Sequence, residues 1–128
     1  MSEFETVNNI LIVDDSSTAR FIIRQCFEIA GFRGKNYVEA KNGLEALESL
    51  EKEKFDLIVT DLNMPGMDGI GLLSSVKASR HSEIPVIVIT STSNQAKNDE
   101  LKKLGAFLIF NKPISPAGIH QAWETSKK

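Results

Sequence analysis

"ILIVDDSSTAR", residues 10–20, is the stretch on which the reading of this chain turns. Ile10 to Val13 are four consecutive apolar residues with none of the in–out alternation of a half-exposed strand, and they run straight into Asp14 and Asp15. A short unalternating run of this kind is expected of a strand covered on both faces, as in a parallel sheet. Three similar runs follow: "LIV" at 57–59, "VIVI" at 86–89 and "FLIF" at 107–110. "NYVEA" at 36–40 interleaves polar and apolar residues and suits an edge strand.

Helical patterns separate these runs. Over residues 16–30 the apolar residues Ala19, Ile22, Cys26 and Ile29 recur at helical spacing up to Gly31, a C-terminal glycine. Leu44, Leu47 and Leu50 line one side of a second helix, and Leu73 and Val76 point inward from a third that follows Gly69. Residues 95–104 form a weaker pattern anchored only by Ala96, Leu101 and Leu104. The last helix has Ser115 as N-cap, Pro116 at its first position, and Ile119, Ala122 and Trp123 on one side. Five strands alternating with five helices predict a three-layer, doubly wound α/β fold around a five-stranded parallel sheet.

The 128 residues amount to one domain. A chain of this length buries roughly two-thirds of its unfolded surface and needs no covalent staples. Cys26 is the single cysteine, which excludes an internal disulfide; it reads as a small buried hydrophobe. A net charge of −2 leaves no electrostatic footprint for nucleic acid, and the closing Lys127-Lys128 reads as a solvated tail. No apolar run reaches the length of a membrane span, and "MSEFETVNN" lacks the features of a signal peptide, so a soluble cytoplasmic protein is expected.

Ligands of open α/β sheets bind beyond the carboxyl ends of the strands. There the first run ends in Asp14 and Asp15, the third strand in Thr60 and Asp61, the fourth in Thr90 and Ser91, and the fifth in Asn111 and Lys112. The edge strand ends at Ala40 and contributes nothing evident. Two carboxylates about 4 Å apart repel by about 4 kcal/mol at an effective dielectric of about 20, so the Asp14–Asp15 pair calls for a compensating ligand. Asp14, Asp15, Asp61 and Lys112 together carry −2 if all are ionised, which one divalent cation cancels. Carboxylate ligands completed by water suit Mg²⁺ better than zinc. A carboxylate beside such a cation and an ammonium is a competent nucleophile toward phosphorus, and the Thr90 hydroxyl can donate to a transferring oxygen.

The motifs "IVDDS", "DLNMPGMDG", "ITS" and "NKPI", in this order and at these strand ends, resemble those of the receiver domains of two-component response regulators. The resemblance is to the stand-alone chemotaxis-regulator type and runs from about Ile10 to the C-terminus, giving a single receiver domain over residues 1–128 with its core at about 9–126. It implies a flavodoxin-like fold with strand order 2-1-3-4-5. It also implies that Asp61 is the phosphoacceptor, that Asp15 binds Mg²⁺ directly while Asp14 holds its water shell, and that Asn63 supplies a backbone carbonyl to the metal. Thr90 matches the switch hydroxyl and Lys112 the ion-pairing lysine, with a cis Lys112–Pro113 bond. The implied partners are a sensor histidine kinase or histidine phosphotransfer protein, and a downstream protein docking on the fourth helix, fifth strand and last helix. The protein is expected to be a monomer that catalyses only its own phosphorylation and dephosphorylation.

Each residue has a plainer reading: Asp61 as a helix cap, Thr90 as a strand terminus, Lys112 as a surface charge. Their joint occurrence in register favours the site. Met64 and Met67 read as loop packing, Pro65 and Gly66 as a turn, Asp68-Gly69 as the lead into the third helix, and His81 and His120 as surface residues. A haloacid-dehalogenase-type phosphatase would place a second Asp where Asn63 stands, and a flavin protein would need a phosphate-cradling loop where "DDSST" begins with two acids. A degenerate receiver acting by contact alone, or a receiver cut from a longer regulator, are the other readings weighed. One position departs from the family pattern. Many receivers carry Tyr or Phe three residues before the site lysine; here it is Ile109, and Phe110 is expected to face the opposite helix layer. The signal is then expected to leave through Thr90, the loop "TSTSNQAKN" and the 91–104 segment.

Overall fold

The computed structural model describes residues 7–64, 66–91 and 94–126. The expectations that fall on Met1–Thr6, Pro65, Thr92, Ser93 and Lys127-Lys128 lie outside the described residues. The order of elements is β1 (Asn9–Val13), α1 (Ser17–Ala30), β2 (Asn36–Ala40), α2 (Gly43–Lys52), β3 (Leu57–Asp61), α3 (Gly69–Lys77), β4 (Val86–Thr90), α4 (Gln95–Lys103), β5 (Leu108–Asn111) and α5 (Pro116–Thr125). The strands form one sheet in the order β2-β1-β3-β4-β5, with every pairing parallel.

The unalternating runs of β1, β3 and β4 are buried on both faces, as read, whereas the fourth run, 107–110, is only partly buried because β5 is an edge strand. In β1, Ile10 and Ile12 pack into one core with α1 and α5, while Leu11 and Val13 pack into the other with α2 and α3. Leu57 and Val59 against Ile58, and Ile87 and Ile89 against Val86 and Val88, divide in the same way. All five helices begin alike: Ser16, Asn42, Asp68, Asn94 and Ser115 each accept a hydrogen bond from the amide three residues on. That satisfies one of the amides a helix start leaves unpaired. Gly31 closes α1 with φ 138°, a conformation open to glycine.

The predicted apolar side of α1 is not the buried one. Ile23, Phe27 and Ala30 face the sheet, whereas Ile22 and Ile29 are largely exposed and Cys26 is half-buried. The helix carries two overlapping apolar stripes, and the one holding the large Phe27 ring takes the core. There Phe27 packs on Phe32 at 5.6 Å, and Trp123 of α5 meets Phe32 and Phe107 edge-on at 5.1 and 5.7 Å. On α2, Ala46 and Leu50 are buried and Leu47 packs against them, but Leu44 is exposed. On α4, Ala96 is exposed and Leu101 is the buried residue. His120 is exposed as expected, but His81 is half-buried, its Nε2 2.9 Å from Glu51 Oε2. Among the described residues no helix is long and apolar enough to cross a membrane.

The corrected stripe can be measured by urea unfolding. Phe27→Ala should cost about 3–5 kcal/mol, and Ile29→Ala should stay within about 0.5 kcal/mol. Equal losses would restore the original assignment.

Candidate functional site

Parallel pairing sets the carboxyl ends of β1, β3, β4 and β5 along one edge. Val13 stands opposite Thr60, Asp61 opposite Ile89, and Thr90 opposite Asn111. Asp14 thus emerges beside Asp61, at the point where the connections from β1 and β3 diverge to opposite sides of the sheet. One carboxylate oxygen from each of Asp14, Asp15 and Asp61 lies within 4.8 Å of the others; Asp14 and Asp61 are buried and Asp15 is exposed. Lys112, the residue after β5, places Nζ 3.1 Å from Asp61 Oδ1 and 4.0 Å from Asp14 Oδ2. The Lys112–Pro113 peptide is cis. Thr90, at the end of β4, is fully buried. Asn63 lies exposed in the loop after β3.

Asp14 is tied on three sides. Its amide donates to the Ala40 carbonyl at 3.1 Å, its Oδ1 accepts from the Ser16 amide at 2.9 Å, and its carbonyl accepts from Arg20 Nη1 at 2.6 Å. Only Oδ2, buried and without a hydrogen-bond partner, is left to face Asp61 and Lys112. Burial pushes the Asp14 carboxyl above its ordinary value; the Ser16 amide opposes this, Asp61 adds to it, Lys112 opposes it, and Asp15 adds again. A buried oxygen with no donor, among three carboxylates, fits a hard divalent cation: the donors are all oxygen and their charge exceeds what Lys112 neutralises.

The loop that follows Asp61 is fastened at both ends. Leu62 donates to the Ile89 carbonyl and its own carbonyl accepts from Gly69, each at 2.8 Å. Gly69 must lack a side chain, since a Cβ there would lie 2.7 Å from the Asp61 carbonyl oxygen and from Leu62 Cα. Met67, expected as loop packing, wedges against Gly43 at the start of α2, where a Cβ would lie 2.7 Å from its sulfur. Met64 is buried as expected, and Asp68 caps α3.

Sequence reading missed Arg20 and Glu39. The edge strand taken to contribute nothing holds Glu39, whose Oε1 accepts from Arg20 Nε at 2.7 Å. The available signal was the polar residue at 39 in a strand next to β1, but only the register shows that it meets α1. As expected, Ile109 packs toward α2–α4 and Phe110 packs in the layer of α1 and α5.

Residues 10–124 match the family model described as the response regulator receiver domain. The chain is 40% identical over 113 residues to chemotaxis protein CheY-3 of Vibrio cholerae, covering 88% of this chain and 85% of that protein. It is 37% identical over 113 residues to sporulation initiation phosphotransferase F of Bacillus subtilis, covering 88% of each. Among solved structures, chemotaxis protein CheY4 of Vibrio cholerae superimposes with a TM-score of 0.80 at 29% identity, covering 94% of this chain and 98% of that one. The chain belongs to the response regulator receiver domain family, the phosphorylation-dependent switches of two-component signalling.

Proposed function

We propose that Asp61 is the residue phosphorylated, in a single receiver domain that takes its phosphoryl group from a histidine kinase or histidine phosphotransfer protein. The observation that carries this reading is the Lys112 ammonium 3.1 Å from a buried Asp61 carboxylate, with a second, unpartnered carboxylate oxygen of Asp14 4.0 Å from the same nitrogen. In the transfer, an Asp61 oxygen forms the O–P bond as the P–N bond to the donor imidazole breaks, and the imidazole leaves with its electron pair and takes up a proton. Lys112 offsets charge on the incoming oxygens, and the Thr90 hydroxyl donates to one of them. Mg²⁺, when bound, supplies further neutralisation of those oxygens. Asp15, Asp61 and the Asn63 carbonyl would hold it directly, and Asp14 would hold its water. Hydrolysis of the same O–P bond returns the carboxylate, so the chemistry is confined to the protein's own phosphorylation state.

The reading extends to partners. A donor must bring its phosphoimidazole to the rim of the site, where Ile22 and Ile23 of α1 adjoin Lys112, Pro113 and Ile114 in one open groove. The downstream protein docks on α4, β5 and α5. Leu101 is the buried residue of α4, so a small change of contact at Thr90 can shift the population of that helix. Ile109 in place of an aromatic residue leaves this route to the loop and α4. The working state is a cytoplasmic monomer with no direct nucleic-acid contact.

Incubation with Mg²⁺ and a small phosphodonor should give an acid-stable, base-labile adduct by intact mass. Asp61→Asn should abolish it with the circular dichroism unchanged; a full-strength adduct on that variant removes the assignment. Hydrogen exchange with a phosphoryl mimic should change protection across residues 94–104, and changes limited to the loops after β1 and β3 would rule this output route out. A pH series tests Asp14. Its folded value lies above the ordinary 3.8, so the Asp14 contribution to the stability of the metal-free protein is fully present below the unfolded value and is lost as pH rises through the folded one. Asp14→Asn should therefore raise the metal-free Tm at pH 7, with the gain shrinking toward zero as pH falls to about 4.

A further inference from the structure

Arg20 sits in the second turn of α1 with its side chain only 15% exposed, an uncommon degree of burial for an arginine without a fixed task. Its guanidinium reaches in two directions. Nε donates to Glu39 Oε1 on β2 at 2.7 Å, and Nη1 donates to the Asp14 carbonyl at 2.6 Å. The fork is planar and rigid, so Glu39 sets its orientation and the fork in turn sets the position of the carbonyl. That carbonyl belongs to the peptide joining Asp14 to Asp15. A peptide is planar, so holding its oxygen holds the Asp15 nitrogen and Cα as well. The Asp14 amide is fixed to the same edge strand through the Ala40 carbonyl at 3.1 Å. Core packing does little for Asp15, the exposed member of the carboxylate trio.

We propose that Arg20, oriented by Glu39, is a positioning residue for the metal-side carboxylates: it anchors the Asp14–Asp15 peptide so that the Asp15 carboxylate points at the cation. The inference rests on the reading of Asp14, Asp15 and Asp61 as a Mg²⁺ site. It makes the edge strand part of that site through an interaction that never touches the ion. A guanidinium acting only as a charge would have the opposite effect. Removing a cation from beside a cation site tightens Mg²⁺ binding by relieving repulsion, whereas removing an anchor loosens it.

Calorimetric titration of Mg²⁺ into the full chain separates these signs, using Arg20→Met, Arg20→Lys, Glu39→Gln and, as reference, Asp15→Ala. Arg20→Met should raise the Kd by about tenfold, a typical loss for an outer partner of a metal ligand. Arg20→Lys should fall between it and the wild type, since an ammonium can reach one acceptor but cannot hold both. Glu39→Gln, on an exposed edge where folding is not at stake, should raise the Kd severalfold through loss of the charge that orients Arg20. In the metal-free protein, hydrogen exchange at the Asp15 and Ser16 amides should speed up in Arg20→Met, a change a purely electrostatic role would not produce. Phosphorylation by a small phosphodonor at saturating Mg²⁺ should return to near the wild-type rate. An unchanged or lower Kd in Arg20→Met, with Asp15→Ala weakened, overturns the positioning role alone. If Asp15→Ala also binds Mg²⁺ normally, the metal-site reading itself falls, and the inference with it.

Discussion

Everything at the site depends on strands that all run the same way. Parallel pairing of β1, β3, β4 and β5 places their carboxyl ends along one edge, and with them Asp14, Asp61, Thr90 and Lys112. The cost is concentrated negative charge: a pair of carboxylates about 4 Å apart repels by about 4 kcal/mol at an effective dielectric of about 20. Burial of one Leu or Ile side chain contributes roughly 1.5–3 kcal/mol, and Ile10, Leu11, Ile12, Leu57, Ile58, Ile87 and Ile89 are all fully buried. The sheet therefore tolerates an electrostatically unfavourable edge, which a cation or a lysine then partly relieves.

Packing is uneven around the sheet, and α4 is the sparsely anchored helix. On one side, α1 and α5 are joined by the Phe27–Phe32–Trp123–Phe107 ring contacts. On the other, α4 buries Leu101 and presents charged and polar residues for most of its length. The ring-packed layer flanks the loop that follows β1, while the sparsely anchored helix follows the strand that carries Thr90. The residues of the proposed site are also held in two ways. Asp61 and Thr90 end strands and are placed by the sheet itself. Asp15 and Asn63 lie in loops: Arg20, paired with Glu39, bonds the carbonyl of the preceding Asp14, and the Gly69–Leu62 bond closes the loop that holds Asn63.

Much of this was legible in the residues. Runs without alternation mark the buried strands β1, β3 and β4, but also the half-buried edge strand β5, and the polar residues that end them mark one edge of the sheet. Ser16, Asn42, Asp68, Asn94 and Ser115 all cap helices, and two of these capping starts were read directly, Ser115 as an N-cap and Asp68 as the lead into α3. Asp14, Asp15, Asp61 and Lys112 were identified from strand ends and do meet in space. The errors share one origin. In α1 the residues Ile22, Cys26 and Ile29 have the same helical spacing as a core stripe, but Ile23, Phe27 and Ala30 hold the core. Helical spacing likewise points Leu44 and Ala96 inward, and both are exposed.

The sequence by itself determined the order of elements, the burial of the three central strands and the chemical identity of the groups at the strand ends, because these follow from local periodicity and from the parallel rule. Tertiary structure alone decided which of two apolar stripes on α1 meets the sheet, since that choice depends on packing with Phe32, just past the helix, and with Trp123, far along the chain. It also decided that Glu39 would reach Arg20, nineteen residues away in sequence. Pairing across β1 and β2 sets that contact, and no local pattern encodes the position of a partner on a neighbouring strand.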